Sequence, residues 1–466
     1  MSISKYSPQL AILAVLIVSR LLVSALGLHP DPAIVVDHWQ HIDLRFLASD
    51  PFGSLWALHT QPPLWNGILA LAVAMVGPDG EAVTNLMFGF HLLLTAGGAL
   101  MLFSLLRHIG MPVLAATIFT SLAICSPNIL YFENYIFYPH FTAFLVTLLL
   151  WLLVRVRRDG PLWPVAASLG VLTALSLTWA IFHPAFVVLA GATLIAWRHG
   201  LSLKSFSLRP ATRPTIAIAI AAIVIASLPT IKNAITYGIP SASTWIGMNL
   251  AQTIPGGQSG EFVHCDFDTA QREGVAAHPG LPTDHPLLTQ AWKNPNAANF
   301  NHAGMIATSQ RCMDMTKAVI LHDPIGWLSF RIETLIGTHQ LAPSNYNADP
   351  LGWNAIFAPM ESAVEATGSF ARSLTILWYL VLIYAGVKAI RSNPPLYLSL
   401  LGLIAYFTFA SHFLNGGEQA RMRYTIEPIY LVFSAQLLLA AWRRFGANPG
   451  LGKLLGRASA PGLTPS

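Results

Sequence analysis

Ten stretches of the chain run apolar over most or all of the roughly 17–25 residues that a helix needs to cross a bilayer. They lie near 8–28, 82–106, 112–130, 137–154, 162–181, 184–197, 214–230, 371–389, 395–412 and 425–441, the sixth being short. Another run, 62–77, is shorter than a span and opens on Pro62-Pro63. It predicts a helix lying at the interface and returning the chain to the membrane. The pattern leaves four polar segments on one side: 29–81, 131–136, 231–370 and 413–424. The third, of about 140 residues, is too long for a simple connector. Its opening is rich in Gly, Ser and Asn, its middle (255–316) in Pro, Asn and His, and Pro324 to Ile336 has helical spacing with few charges, which predicts a second interfacial helix.

The predicted fold is an all-α integral membrane protein of about ten transmembrane helices, with interfacial helices and one large outer loop. Its organisation is an N-terminal module of seven spans over 1–230, with a first outer loop at 29–81. The large outer region 231–370 follows, then a C-terminal module of three spans over 371–445, and a Gly/Pro/Ser-rich tail, 446–466, expected to be disordered. Composition agrees: 54% of residues are hydrophobic, only 10% are charged and mean hydropathy is +0.55, far from the charge content of soluble domains. The first apolar run has no small-residue cleavage site after it and predicts a retained span, not a signal peptide. Charge sets the orientation. With the N-terminus inside, the inner loops hold fifteen of the 26 Lys and Arg residues and a single acid, Asp159. Both termini are then cytoplasmic, and any chemistry belongs to the outer face. The basic residues are spread over short loops and do not form a soluble basic face, so nucleic acid is not an expected partner despite the pI near 9.1.

Polar residues cluster where the chain leaves the membrane. Asp37-His38-Trp39-Gln40-His41 follows the first span, and His59-Thr60-Gln61-Pro62-Pro63 closes the same loop. Asp37 is a candidate general base, or else a helix cap or solvated acid. His38 and His41, three apart, are candidate metal ligands with Asp37, or interfacial histidines packed beside Trp39. Two prolines fix the backbone that would hold His59 and Gln61 toward a site. Glu133, in Tyr131-Phe-Glu-Asn-Tyr-Ile-Phe-Tyr138-Pro139, lies where the third span surfaces, either at a site beside Asp37 or in an aromatic belt. In Gly416-Gly-Glu418-Gln-Ala-Arg421-Met-Arg423-Tyr-Thr-Ile-Glu427-Pro428, two guanidinium groups sit at outer headgroup level, against the positive-inside trend. Arg binds phosphate through paired donors, so this turn suits a lipid phosphate; snorkelling to headgroups is the alternative. Lys232 is another phosphate candidate. Arg20, inside the first span, is expected to snorkel or to be buried and paired. Cys265 and Cys312 fall in the exported segment, where a disulfide and free thiols are both open; Cys125 reads as a packing residue.

These patches resemble the GT-C membrane glycosyltransferases, such as the protein O-mannosyltransferases and lipid A aminoarabinose transferases. The likeness rests on the acid after the first span, the aromatic helix and Pro62-Pro63-Leu64 turn, Lys232-Asn233 with Gly247-Met-Asn249 opening the large loop, and the Glu–Arg–aromatic–Pro pattern of the last outer turn. Many such enzymes carry a second acid after the first; here that position is His38. The resemblance implies a polyprenyl-phosphate-linked sugar donor, a lipid, glycan or protein acceptor, and inversion at the anomeric carbon on the outer face of the inner membrane. It implies Asp37 and Glu133 as catalytic residues, Arg421, Arg423 and Lys232 on the donor phosphate, and His59, Gln61, Tyr138, Asn249 and Glu418 around substrate. A divalent metal stays open. The rival readings are an O-antigen ligase or polymerase and a transporter of lipid-linked sugars. The transporter would call for mid-span ionisable residues and an internal repeat.

Overall fold

The computed structural model describes residues 6–157, 160–199, 213–254, 285–338, 377–390, 394–413 and 419–446, apart from 296, 378, 411 and 412. Glu418, Cys265 and the tail fall outside the described residues.

Where the sequence runs apolar, the chain is helical. The first span is α1 (Ser7–Ala25), and the second is α6 (Gly80–His108). Asp79 caps α6 by accepting from Ala82 N–H at 2.8 Å, and Arg107 and His108 occupy its last turn, so both ends oppose the helix dipole. The third span is broken. Ser126-Pro127 interrupts it, giving α7 (Val113–Ile124) and α8 (Pro127–Asn134) bent by 50°. Pro127 cannot donate within a continuous helix, while Ser126 caps the new one. Then come α9 (Tyr138–Leu153), α10 (Trp163–Thr178), α11 (Pro184–His199) and α12 (Arg213–Tyr237). Among the described residues, four helices are long and apolar enough to cross a membrane, or five if the bent pair counts as one. The expected ten are not reached by that measure. Helices of 16 residues such as α9 to α11 reach only about 24 Å, short of a hydrocarbon core of about 30 Å.

The first outer loop is a stack of short helices started by Asp or Pro: α2 (Pro32–Asp37), α3 (Leu44–Ser49), α4 (Pro51–Ala57) and α5 (Leu64–Val76). Asp31, Asp43 and Asp50 accept from Ala33, Arg45 and Gly53 N–H at 2.9 Å each. The run 62–77, expected as an interfacial helix, forms the helix α5, burying Trp65, Leu69, Ala72 and Val73 and exposing Leu71 and Met75.

The helix α12 runs on past the expected end at 230, so Lys232 and Asn233 are helical. It stops at Gly238, whose φ of +72° favours glycine. The large loop then packs back with α13 (Ile246–Ala251) against α14 (Gly304–His322). At their crossing a Cβ on Gly247 would stand 1.7 Å from the Ser309 carbonyl oxygen, so only glycine permits it. A two-stranded antiparallel hairpin, β1 (Trp292–Asn294) and β2 (Ala297–Ala298), departs from a purely helical fold. The helix expected from Pro324 is α15 (Pro324–Thr338). Cys312 is disulfide-bonded and Cys125 is free. Next come α16 (Tyr379–Ala389), α17 (Pro394–Phe409) and α18 (Gln419–Gly446). The last begins before the expected span at 425, which puts Arg421 and Arg423 inside a helix instead of a turn.

Candidate functional site

Between the ends of α9, α11, α17 and α18 and the returning large loop lies a cavity of about 370 Å³. Its lining is mixed, with polar Gln40, Thr60, Gln61, His183, Ser243 and Asn249 beside apolar Ile181, Phe186, Leu189 and Ala410. Phe186, Leu189 and Tyr406 also line a second cavity of about 290 Å³, where Leu149, Leu172, Leu194 and Leu403 make an almost wholly apolar slot among the helices.

Arg421 is on the lining of the larger cavity. It is 2% exposed, and its guanidinium carbon lies 5.4 Å from the ring centre of Phe137, 5.2 Å from Tyr138 and 5.0 Å from Trp179. Three ring faces hold a planar cation where an ammonium would fit less well. Arg423, two residues on, sits about 200° round the same helix. It pairs with Glu427 at 3.8 Å and does not line the cavity. The two arginines expected to act together therefore face apart.

Other expected residues are occupied by the fold. Glu133 is fully buried and forms a bidentate pair with Arg20, both contacts 2.8 Å, and accepts from Thr95 Oγ1 at 2.5 Å. The break at Ser126-Pro127 turns α8 so that this carboxylate meets α1 instead of Asp37. Arg20 is thus the buried, paired residue expected as one alternative. Lys232 donates its Nζ to the carbonyls of Trp56 and Leu58, tying α12 to the end of α4 rather than reaching the cavity. His59 accepts from Thr244 Oγ1 at 2.7 Å and donates through Nε2 to the Asn301 carbonyl at 2.9 Å, joining the first outer loop to the large one. Burial pushes its pKa down to about 3 against the opposing Asn301 bond, so it is neutral.

Gln61, Tyr138 and Asn249, expected around substrate, line this cavity. His41 also titrates near 3, through burial first and Lys293 second. Its Nδ1 donates to the Val35 carbonyl at 3.1 Å and its Nε2 accepts from Trp65 at 3.0 Å, leaving neither nitrogen for a metal. His38 packs on Phe137 with ring centres 4.1 Å apart, and its Nδ1 accepts from Gln40 N–H at 3.2 Å. Burial, then His41, Lys293 and Arg421, hold it well below the ordinary imidazole range. Among the described residues, no group of three or more His, Cys, Asp or Glu side chains is placed to hold a metal.

Asp37 ends α2 half-buried and is not among the cavity's lining residues; its chain neighbour His38 packs on Phe137, the ring over which Arg421 also lies. Its Oδ1 accepts from Asn294 Nδ2 at 2.7 Å. Next to Asn294, Lys293 donates to the His38 carbonyl at 2.5 Å, and Arg45 Nη2 donates to the Lys293 carbonyl at 2.7 Å. Burial brings Lys293 down to about 7, opposed by the carboxylates of Asp43 and Asp37. Neither Lys293 nor Asn294 was legible as a site residue. Both lie more than 250 residues along the chain from Asp37, in a stretch with no periodic signal. Trp179 and Trp245, which wall the cavity, read in the sequence only as span-end and loop aromatics.

No family model and no curated protein matches the chain. Among solved structures it is similar to the Archaeoglobus fulgidus oligosaccharyltransferase, tethered with an acceptor peptide containing the NVT sequon via a disulfide bond. Identity is 10%, the match covers 98% of this chain and 52% of that one, and the TM-score is 0.45. The chain therefore spans about half the length of that neighbour.

Proposed function

We propose that this chain is a membrane glycosyltransferase moving a sugar from a prenyl-phosphate carrier to a hydroxyl of a lipid, glycan or protein acceptor at the outer face of the inner membrane. The observation that carries this reading is the placement of Arg421. It lines a chamber of mixed polarity that shares Phe186, Leu189 and Tyr406 with an almost wholly apolar slot among the helices. A ligand with a hydroxylated head, one anionic joint and a long hydrocarbon tail matches those surfaces.

In the proposed reaction the acceptor oxygen attacks the anomeric carbon opposite the phosphate, and the carbon–oxygen bond to phosphate breaks with inversion. The electron pair leaves on the phosphate oxygen, where Arg421 offsets the growing negative charge by charge-assisted hydrogen bonds. The acceptor proton passes to Asp37. With Oδ1 engaged by Asn294, Oδ2 is the oxygen left to take it. Glu133, Lys232 and Arg423 then serve the fold, by the contacts described above.

Two measurements on the purified full chain test this reading. Mass spectrometry of co-purified lipid should find a prenyl-phosphate species, retained by Asp37→Asn and depleted in Arg421→Ala. Turnover of that donor should fall roughly 10²–10⁴-fold in Asp37→Asn, the usual worth of a general base. Wild-type turnover by Asp37→Asn would remove Asp37 and its loop from the mechanism.

A further inference from the structure

Arg213 and Lys232 stand nineteen residues apart on α12, about 28 Å of helix rise, with no charged residue between them. That length matches a hydrocarbon core of about 30 Å, so the two cations mark its edges. Ile220, Val224, Leu228, Ile231 and Ile235 are exposed along one face of the helix, as a lipid-facing row requires. Lys232 donates its Nζ to the Trp56 carbonyl at 3.1 Å and to that of Leu58, and the Tyr237 hydroxyl donates to the Ala57 carbonyl at 2.8 Å. The last turn of α4 is therefore pinned at headgroup level. Its two aromatic side chains stand open: Phe52 is 85% exposed and Trp56 64%. They are four residues apart on one face, while Ser54 and Ala57 are buried on the other. An apolar pair this open at the edge of a bilayer finds its cover in the lipid beside it.

We propose that α4 anchors the first outer loop to the membrane, with Phe52 and Trp56 set in the headgroup–acyl boundary of the leaflet at that end of α12. The partner is a lipid surface. The exposed row of α12 runs up to Ile235, 81% exposed and one turn past Lys232, so lipid already reaches the level of α4. No residue of α4 is charged, so a zwitterionic lipid suffices and the attraction comes from apolar burial. Trp suits this depth, because its ring is apolar and its N–H can meet headgroups or water. The anchor bears on the cavity. Leu58 follows α4 directly, His59 is held by Thr244 and the Asn301 carbonyl, and Thr60 and Gln61 reach the cavity lining. Holding α4 at the boundary thus fixes the depth of that wall of the cavity relative to the headgroups.

The test is nitroxide labelling of the full chain in phosphatidylcholine nanodiscs, on a Cys125→Ser background that removes the free thiol. Single cysteines are placed by Phe52→Cys, Trp56→Cys, Ile220→Cys and Gln290→Cys, all at exposed positions, so the label leaves the packing alone. Each α4 variant keeps the other aromatic residue. Power-saturation electron paramagnetic resonance reads collisions with oxygen, which partitions into lipid, and with a nickel chelate, which stays in water. Labels at positions 52 and 56 should show an oxygen-to-nickel ratio several-fold above that at position 290, in the large loop, and approaching that at position 220, in mid-span. A ratio equal to that at position 290 places α4 in water and overturns the anchor. Low collision with both reagents means that protein covers the face, whether a second copy or another segment, and overturns it as well.

Discussion

Arg421 and Arg423 look equivalent in the sequence, and the structure gives them different work. The perturbation is replacement of each by Ala. Arg421 is buried against three aromatic rings on the lining of the larger cavity, so a phosphate there meets a desolvated, pre-positioned guanidinium. A hydrogen bond to a charged group contributes about 1.5–3 kcal/mol, or about ten- to 150-fold in affinity. Arg421→Lys should recover only part of this, since an ammonium neither stacks between rings nor offers paired donors. Arg423 lies across the helix in a partly exposed pair with Glu427 whose side chains are 16% and 19% exposed. Its loss takes the cation away from a mostly buried carboxylate, so it should lower stability and leave affinity within about two-fold. The assay is titration of methyl farnesyl phosphate onto each variant in nanodiscs, with thermal unfolding run beside it. Equal loss of affinity in Arg423→Ala and Arg421→Ala would place the phosphate on the other face of α18 and refute the cavity as the donor site.

Three further outcomes follow from the same contacts. Glu133→Gln removes one side of a buried bidentate pair and should destabilise the protein by about 3–5 kcal/mol, read as a lowered unfolding temperature; a variant that unfolds like wild type but cannot turn over would make Glu133 catalytic instead. His41 and His59 titrate near 3 when folded against about 6.5 unfolded. Between those values the unfolded chain binds more protons, so their contribution is complete above pH 6.5. It is lost as pH falls toward 3, at about 1.4 kcal/mol per pH unit for each histidine. Unfolding midpoints compared at pH 7.5 and 5 should show the loss, and His59→Asn should show less of it. For orientation, a reporter active only in the cytoplasm should work when fused after Arg213 and stay silent near Gly280; a signal from Gly280 would invert the outer-face site.

The helices were legible because their cause is local. Runs of apolar residues fix α1, α6 and α12, and Asp or Pro at helix starts fixes the short elements of the first outer loop. Even the break in the third span is written as Ser126-Pro127, although hydropathy alone passed over it. Residue type also singled out Arg421, Gln61, Tyr138 and Asn249, all of which line the cavity. What a residue does once it is there depends on which distant groups surround it, and that has no local trace. Glu133 looked like a partner for Asp37, but the turn of α8 delivers it to Arg20, 113 residues away. Lys232 looked like a phosphate ligand and instead holds carbonyls at the end of α4. Arg421 and Arg423 are near neighbours in sequence, yet a helix sends residues two apart to opposite faces. Conversely, Asn294 reaches Asp37 only because the large loop folds back over the first. Sequence alone determined the elements and the stock of chemical groups. Tertiary packing, by choosing which groups are satisfied inside the protein and which are left facing the cavity, decided which of them remain available for chemistry.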